Sequence, residues 1–299
     1  MQAESTGQEI VQQFNQYLQE DGKASSTVES YAGDVAAFVA WLEEKVAVFD
    51  GKLKRFHVTS YRSHIQQEGF SAVTINKKVN SIQSFNAFLI DAGYIKEVVV
   101  DVKRDKVKIA NGSEKEVEVL TDRESERLMF HVMDRKVVCA RDCLIVNILL
   151  FSGVRVTELV SLRLKDIDLL SSTLTIAWGK GSKYREVPLR QEVVEVIKEY
   201  MGSERKESEF NTSEYLLLTQ RAGRMDRDTV NKVLHRMGKE LGIEMYPHKF
   251  RHTFCTRLVK KGVDLATVAK LAGHAGVNTT AAYYVNTSRK DKQDAVALL

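Results

Sequence analysis

The chain has 299 residues, 43% of them hydrophobic and 28% charged, with a formal net charge of +4, so it is long enough for two domains that each bury a core. Its longest apolar run, Cys143 to Phe151, is broken by Asn147 and falls well short of the roughly 20 residues of a membrane span; the N-terminus shows no basic-then-apolar leader. Three cysteines, an odd number, with Cys139 and Cys143 one helical turn apart, argue against a disulfide framework or a zinc cluster and fit a reducing, cytoplasmic setting.

Residues 8–21 place Ile10, Phe14 and Leu18 at spacings of four, one face of a helix that stops at Gly22. Ser26-Thr27-Val28-Glu29 has the form of a capping box and leads into a second amphipathic helix with Tyr31, Val35, Phe38, Trp41 and Leu42. A third helix is expected from Thr59 to Gln67, closed by Gly69. A fourth starts near Ser71 and puts Ile75, Val79, Ile82, Phe85 and Leu89 on one stripe before Gly93. Four helices on short loops predict a compact bundle over residues 1–105, with the apolar stripes as its core. That part carries 11 Lys/Arg against 14 Asp/Glu, a net −3, whereas residues 106–299 carry 33 against 26, a net +7. A basic excess of this size suits contact with phosphates but equally a slightly basic solvated enzyme.

From Val98 to Val119 the sequence turns β-branched and charged, with Asn111-Gly112-Ser113 in the middle. A linker is expected at 106–116 and a second domain over 117–299. A second capping box, Thr121 to Glu124, opens a mainly helical region. Within it, Thr173 to Trp178 and Tyr184 to Leu189 flank Gly179-Lys180-Gly181-Ser182-Lys183 and predict one hairpin.

The polar residues of this second region are ambiguous one at a time. Arg155 stands at a helix start, where the dipole disfavours a cation; it suits either an anionic ligand or a surface pair with Glu158. Lys180, between two glycines at the hairpin tip, is either solvated or poised to reach a ligand. His248 and Arg251 share a helical face behind Pro247, a residue suited to a first helical turn. His274 follows Leu271-Ala272-Gly273, where a helix ends and the ring can serve as a C-terminal cap, and Tyr283 and Tyr284 come nine and ten residues later.

Taken in order, Ser152-Gly-Val-Arg155-Val-Thr-Glu158-Leu159, Gly179-Lys180-Gly181, Pro247-His248-Lys-Phe-Arg251-His252, Leu271-Ala-Gly-His274 and Thr279-Thr-Ala-Ala-Tyr283 resemble the tyrosine recombinase, or phage integrase, family. The likeness is closest to Xer recombinases and to transposon-encoded cointegrate resolvases. It extends to Ser26–Tyr31 and Thr74–Lys78, which look like the family's core DNA-binding domain. Two departures, Tyr246 before the Pro-His pair and Ala272 before Gly273, bear on local packing only. The resemblance implies a mainly α fold: an N-terminal four-helix, SAM-like DNA-binding domain and a mostly helical catalytic domain with a small β-hairpin.

It also implies a chemistry. Tyr283, with an ordinary phenol pKa of about 10, is the expected nucleophile forming a 3′-phosphotyrosine. Arg155 and Arg251 offer planar forks to the phosphate oxygens. Lys180 is the expected general acid for the 5′-oxygen, His248 accepts or positions the tyrosine proton, and His274 donates to a phosphate oxygen. Glu158 orients its neighbours. Lys77, Lys78, Lys183 and Arg185 are expected to touch DNA, with the duplex clamped between the domains. No metal or cofactor is called for. The expected partners are a double-stranded recombination site and three further copies of the chain, in a homo-tetramer on two sites that passes through a Holliday junction. The apolar end at 295–299 is expected to dock on a neighbouring protomer. A type IB topoisomerase and a catalytically silent DNA-binding regulator are the alternatives.

Overall fold

The computed structural model describes residues 6–45, 48–108, 117–178, 183–274, 276–277 and 280–281. It divides into two compact units, Met1–Glu114 and Lys115–Leu299.

In the first unit α1 (Gly7–Glu20), α2 (Ser25–Lys45), α3 (Arg55–Gln67) and α4 (Ala72–Asp91) are the four expected helices, and α5 (Val102–Asp105) is a fifth, single-turn one. Thr6 and Glu9 cap α1 reciprocally, and the Ser71 hydroxyl accepts from Thr74 N at 3.2 Å to start α4. Helix α2 begins one residue before the expected cap. Thr27 N and Val28 N both bond to Ala24 O, so Ser26 lies inside the first turn. The apolar stripes meet in one core in which Phe14, Phe38 and Phe85 are fully buried, with Phe14 edge-on to Phe85 at 5.2 Å.

The stretch after α4 stays tied to this unit. The Asn86 carboxamide oxygen accepts from Val99 N and Val100 N, and Asn76 holds both backbone groups of Val107. Asp105, buried at the end of α5, takes the Arg55 guanidinium on both oxygens at 2.5 Å. These bonds order residues that have no apolar period of their own.

The second unit contains α6 (Asp122–Met133), α7 (Ala140–Ser152), α8 (Val156–Leu159), β1 (Ile167–Asp168), β2 (Thr173–Trp178), β3 (Lys183–Pro188), α9 (Gln191–Gly202), α10 (Glu204–Glu207), α11 (Arg227–Leu241), α12 (Pro247–Lys260) and α13 (Leu265–Ala272). The Thr121–Glu124 box caps α6 as its spacing requires. Helix α7 is apolar on all sides, with every residue from Cys143 to Leu150 buried, as a helix at the centre of a core must be; α9 and α12 pack on it. The strands form one antiparallel sheet in the order β1-β2-β3, Thr173 facing Pro188 and Trp178 facing Lys183. The two-residue β1 is too short to leave a signal of period two. Among the described residues no helix is long and apolar enough to cross a membrane.

Candidate active site

Four pieces of the second unit converge: the turn between α7 and α8, strand β3, the first turns of α12 and the end of α13. Gly153 ends α7 in the left-handed region, φ +61°, and a Cβ built there would overlap the Phe254 ring. Glycine is therefore required on two grounds, backbone conformation and space. Gly153→Ala is expected to destabilise the chain by about 2–5 kcal/mol, summing the left-handed penalty and the overpacking. Gly242→Ala, where φ is +65° and no atom lies within 4 Å, should cost only about 1–2 kcal/mol. Urea unfolding of both variants checks this, and equal midpoints would contradict it.

Two residues after Gly153, Arg155 occupies the position before the first turn of α8. The cation at a helix start finds its counter-charge within that turn. Glu158 accepts from Arg155 N at 2.8 Å and from Arg155 Nη1 at 2.9 Å, and Arg155 Nη2 donates to Gly273 O at 2.7 Å. The surface pair with Glu158 thus exists, but Glu158 has only 9% of its side chain exposed. Although burial acts to raise it, Glu158 sits below the usual carboxylate range, because Arg185, the Arg155 N–H and the Arg155 charge all stabilise its ionised form.

Helix α12 begins at Pro247, as expected. On its first turns Arg251 is 4% exposed; Nη1 donates to Gly153 O at 2.7 Å, and Nη2 is buried with no hydrogen-bond partner among the described residues. Burial and the Arg155 charge push this guanidinium down from its ordinary value to about 10. A buried donor left without an acceptor is costly, and here it marks a place for an anion. His248, one turn earlier, is exposed, yet desolvation by its neighbours, then Arg251 and Arg155, hold it below the usual imidazole range.

Helix α13 ends at Gly273, φ +68°, with His274 N bonded back to Ala269 O. His274 Nδ1 lies 2.7 Å from Thr280 Oγ1. Burial, then Arg251 and Arg155, push the ring down to about 4. The site therefore combines fixed guanidinium donors with imidazoles whose proton affinity is lowered by desolvation and then by the guanidinium charges, an arrangement suited to an oxyanion.

These depressed imidazoles give the folded chain an acid limb. Because His248, His252 and His274 bind protons less readily in the folded state than in the unfolded one, their contribution is complete above about pH 6.5 and lost below it. Melting temperatures are expected to fall as pH drops from about 6.5 towards 4, and the fall to be shallower in His274→Asn. A flat profile in the wild type contradicts this.

Of the expected DNA-contact residues, Lys77 and Lys78 on α4 both pair with Asp34 of α2, at 3.1 and 3.2 Å, and Ser81 donates to the same carboxylate. Lys77 remains half exposed while Lys78 is 14% exposed. Arg185 does not face solvent as a strand lysine or arginine at a DNA surface would. It shares the inward face of β3 with Val187 and binds Glu158. The signal was present in the alternation: an arginine two residues before a core valine on a strand needs a buried partner. Lys180, Tyr283, the side chain of Lys183 and the C-terminal tail lie outside the described residues.

Known proteins agree with this picture. The phage integrase family model matches residues 118–290, and the model of the phage integrase N-terminal SAM-like domain matches residues 11–93. The chain is 29% identical over 292 residues to the TnP I resolvase of Bacillus thuringiensis, covering 97% of this chain and 100% of that protein. It is 30% identical over 278 residues to tyrosine recombinase XerA of Thermococcus kodakarensis, covering 92% and 90%. The crystal structure of XerH site-specific recombinase bound to a palindromic difH substrate, a post-cleavage complex, superposes with a TM-score of 0.77 at 20% identity, covering 100% of this chain and 98% of that one. The Tn1549 transposon integrase in complex with transposon right end DNA gives 0.71 at 18%, covering 98% and 99%. At these identities the two structures speak for the fold, and the sequence matches for the family: the chain belongs to the phage integrase family of tyrosine recombinases, enzymes of DNA strand transfer.

Proposed function

We propose that the chain is a site-specific recombinase that cuts and rejoins DNA through a 3′-phosphotyrosine at Tyr283, acting in the cytoplasm to resolve cointegrates or dimers of a mobile element or replicon. The observation that carries this is the buried Nη2 of Arg251, which has no hydrogen-bond partner among the described residues and sits amid the charge of Arg155 and beside histidines of lowered proton affinity. A scissile phosphate supplies the missing acceptor. Arg155 and Arg251 then hold its non-bridging oxygens and the added charge of the pentavalent transition state.

The Tyr283 oxygen attacks phosphorus while the bond to the 5′-oxygen breaks. His248, neutral in the free protein, accepts or positions the tyrosine proton, and Lys180 protonates the leaving oxygen. His274, whose Nδ1 lies 2.7 Å from Thr280 Oγ1, donates to a phosphate oxygen through Nε2 in the tautomer in which Nδ1 accepts from Thr280. Because one phosphodiester replaces another, a 5′-hydroxyl from a second strand reverses the step without ATP. Four protomers on two sites, exchanging strands through a Holliday junction, complete the reaction, with the duplex gripped by both units and Lys77 of α4 among the phosphate contacts.

The resolution role rests on the TnP I resolvase, which matches along its whole length. The test is a chelator-containing incubation with supercoiled plasmid bearing two copies of the DNA that flanks the gene. Exchange products that require both copies support recombination. Relaxation of any plasmid without exchange indicates a type IB topoisomerase, and a footprint without cleavage a silent regulator; either outcome overturns the proposal.

A further inference from the structure

Arg185 has every donor group in use. Nε donates to Leu271 O at 2.9 Å, Nη1 to Glu158 Oε1 at 2.9 Å and Nη2 to Glu158 Oε2 at 2.7 Å, and 10% of the side chain is exposed. The same two carboxylate oxygens receive Arg155, whose Nη2 reaches Gly273 O. These bonds close a ring running from β3 through Glu158 to Arg155, on to Gly273, and back along α13 to Leu271. Gly273 belongs to the ring by necessity, since a Cβ there would stand 2.6 Å from Arg185 Nη1.

We propose that Arg185 is a positioning residue for strand cleavage, acting through Glu158 and the end of α13 on Arg155 and His274, and not a DNA contact. Two physical effects combine. The bidentate pair fixes the carboxylate that orients Arg155, while the bond to Leu271 O fixes the helix end from which His274 departs. Charge is the second effect. Arg155 and Glu158 alone are neutral together and offer little to a phosphate; Arg185, 10% exposed, adds a positive charge, so the trio presents +1. A lysine keeps that charge but has no planar fork to span both Glu158 oxygens and Leu271 O.

This inference rests on the reading of Arg155 as a phosphate ligand, so its test includes the wild type. A duplex selected from random DNA by binding to the full chain serves as probe, with affinity, single-turnover adduct formation and melting temperature measured for Arg185→Gln, Arg185→Lys, Glu158→Gln and the double Gln variant. Arg185→Gln is expected to slow adduct formation about 10–100-fold, the range typical of residues that orient a site's ligands, with affinity changed less than about 3-fold (under 1 kcal/mol). Arg185→Lys should recover part of the rate, and the double variant should be no slower than the slower single, as members of one network behave. Should Arg185→Gln fail to fold, the rate and affinity of Arg185→Lys carry the same comparison. A rate loss matched by an equal affinity loss, an additive double variant, or an unchanged rate overturns the proposal. No adduct in the wild type defeats the functional reading as well, whereas a wild-type adduct with variants that lose affinity alone defeats only this inference.

Discussion

Tyr283→Phe is expected to abolish covalent capture of DNA, with detergent-stable adduct falling below detection, while Tyr284→Phe stays within about 3-fold of wild type. The phenylalanine ring keeps the volume and loses the only atom the mechanism needs as nucleophile. Affinity for DNA should persist, because the guanidiniums and lysines that meet phosphates are untouched. Nothing else near the phosphate replaces the lost oxygen: Arg155 and Arg251 are permanent cations, and neutral His248 and His274 have proton-handling roles. Adduct retained in the Tyr283 variant but lost in the Tyr284 variant would move the nucleophile by one residue.

Arg251→Met is expected to cut the rate of strand cleavage by about 10²–10³-fold, the usual result of removing one preorganised donor to a developing charge, without lowering the melting temperature. The second half of that statement separates function from stability. In the free protein Arg251 is 4% exposed, held at about 10 by burial and by Arg155, with one nitrogen lacking a partner among the described residues. A methionine of similar length fills the space without a charge to desolvate, at the loss of one bond to Gly153 O. Stability retained with cleavage lost is the behaviour of a group kept for function. A melting temperature several degrees lower, with cleavage reduced only in proportion to the folded fraction, would contradict it.

Much of this architecture was legible in the residues themselves. Helices α1 and α4 announce themselves by apolar spacing, α7 by an apolar run from Cys143 to Phe151 interrupted at Asn147, and α12 by Pro247 followed by a histidine and an arginine three apart. The single turns α5 and α10 were not, because four residues carry too little periodicity, and side-chain bonds such as Asp101 capping α5 hold them, whereas of α8 only the start at Arg155 could be read. Within the site, side-chain identities could be read but their partners could not. Glu158 was visible as a neighbour of Arg155, yet its second arginine comes from a strand 27 residues on. The carbonyls of Gly153, Leu271 and Gly273 that steer three guanidinium groups have no signature at all, since any residue offers one. Asp34 was equally hidden: a carboxylate on α2 pairs with both lysines of α4 that were expected to touch DNA.

The most direct test of the central claim is to trap the protein–DNA adduct on a supercoiled plasmid carrying the gene's flanking DNA, digest both partners, and locate the modified residue by mass spectrometry. The account predicts a nucleotide joined through a 3′-phosphate to Tyr283. A nucleotide on any other residue, or a 5′-phosphate linkage, would contradict it.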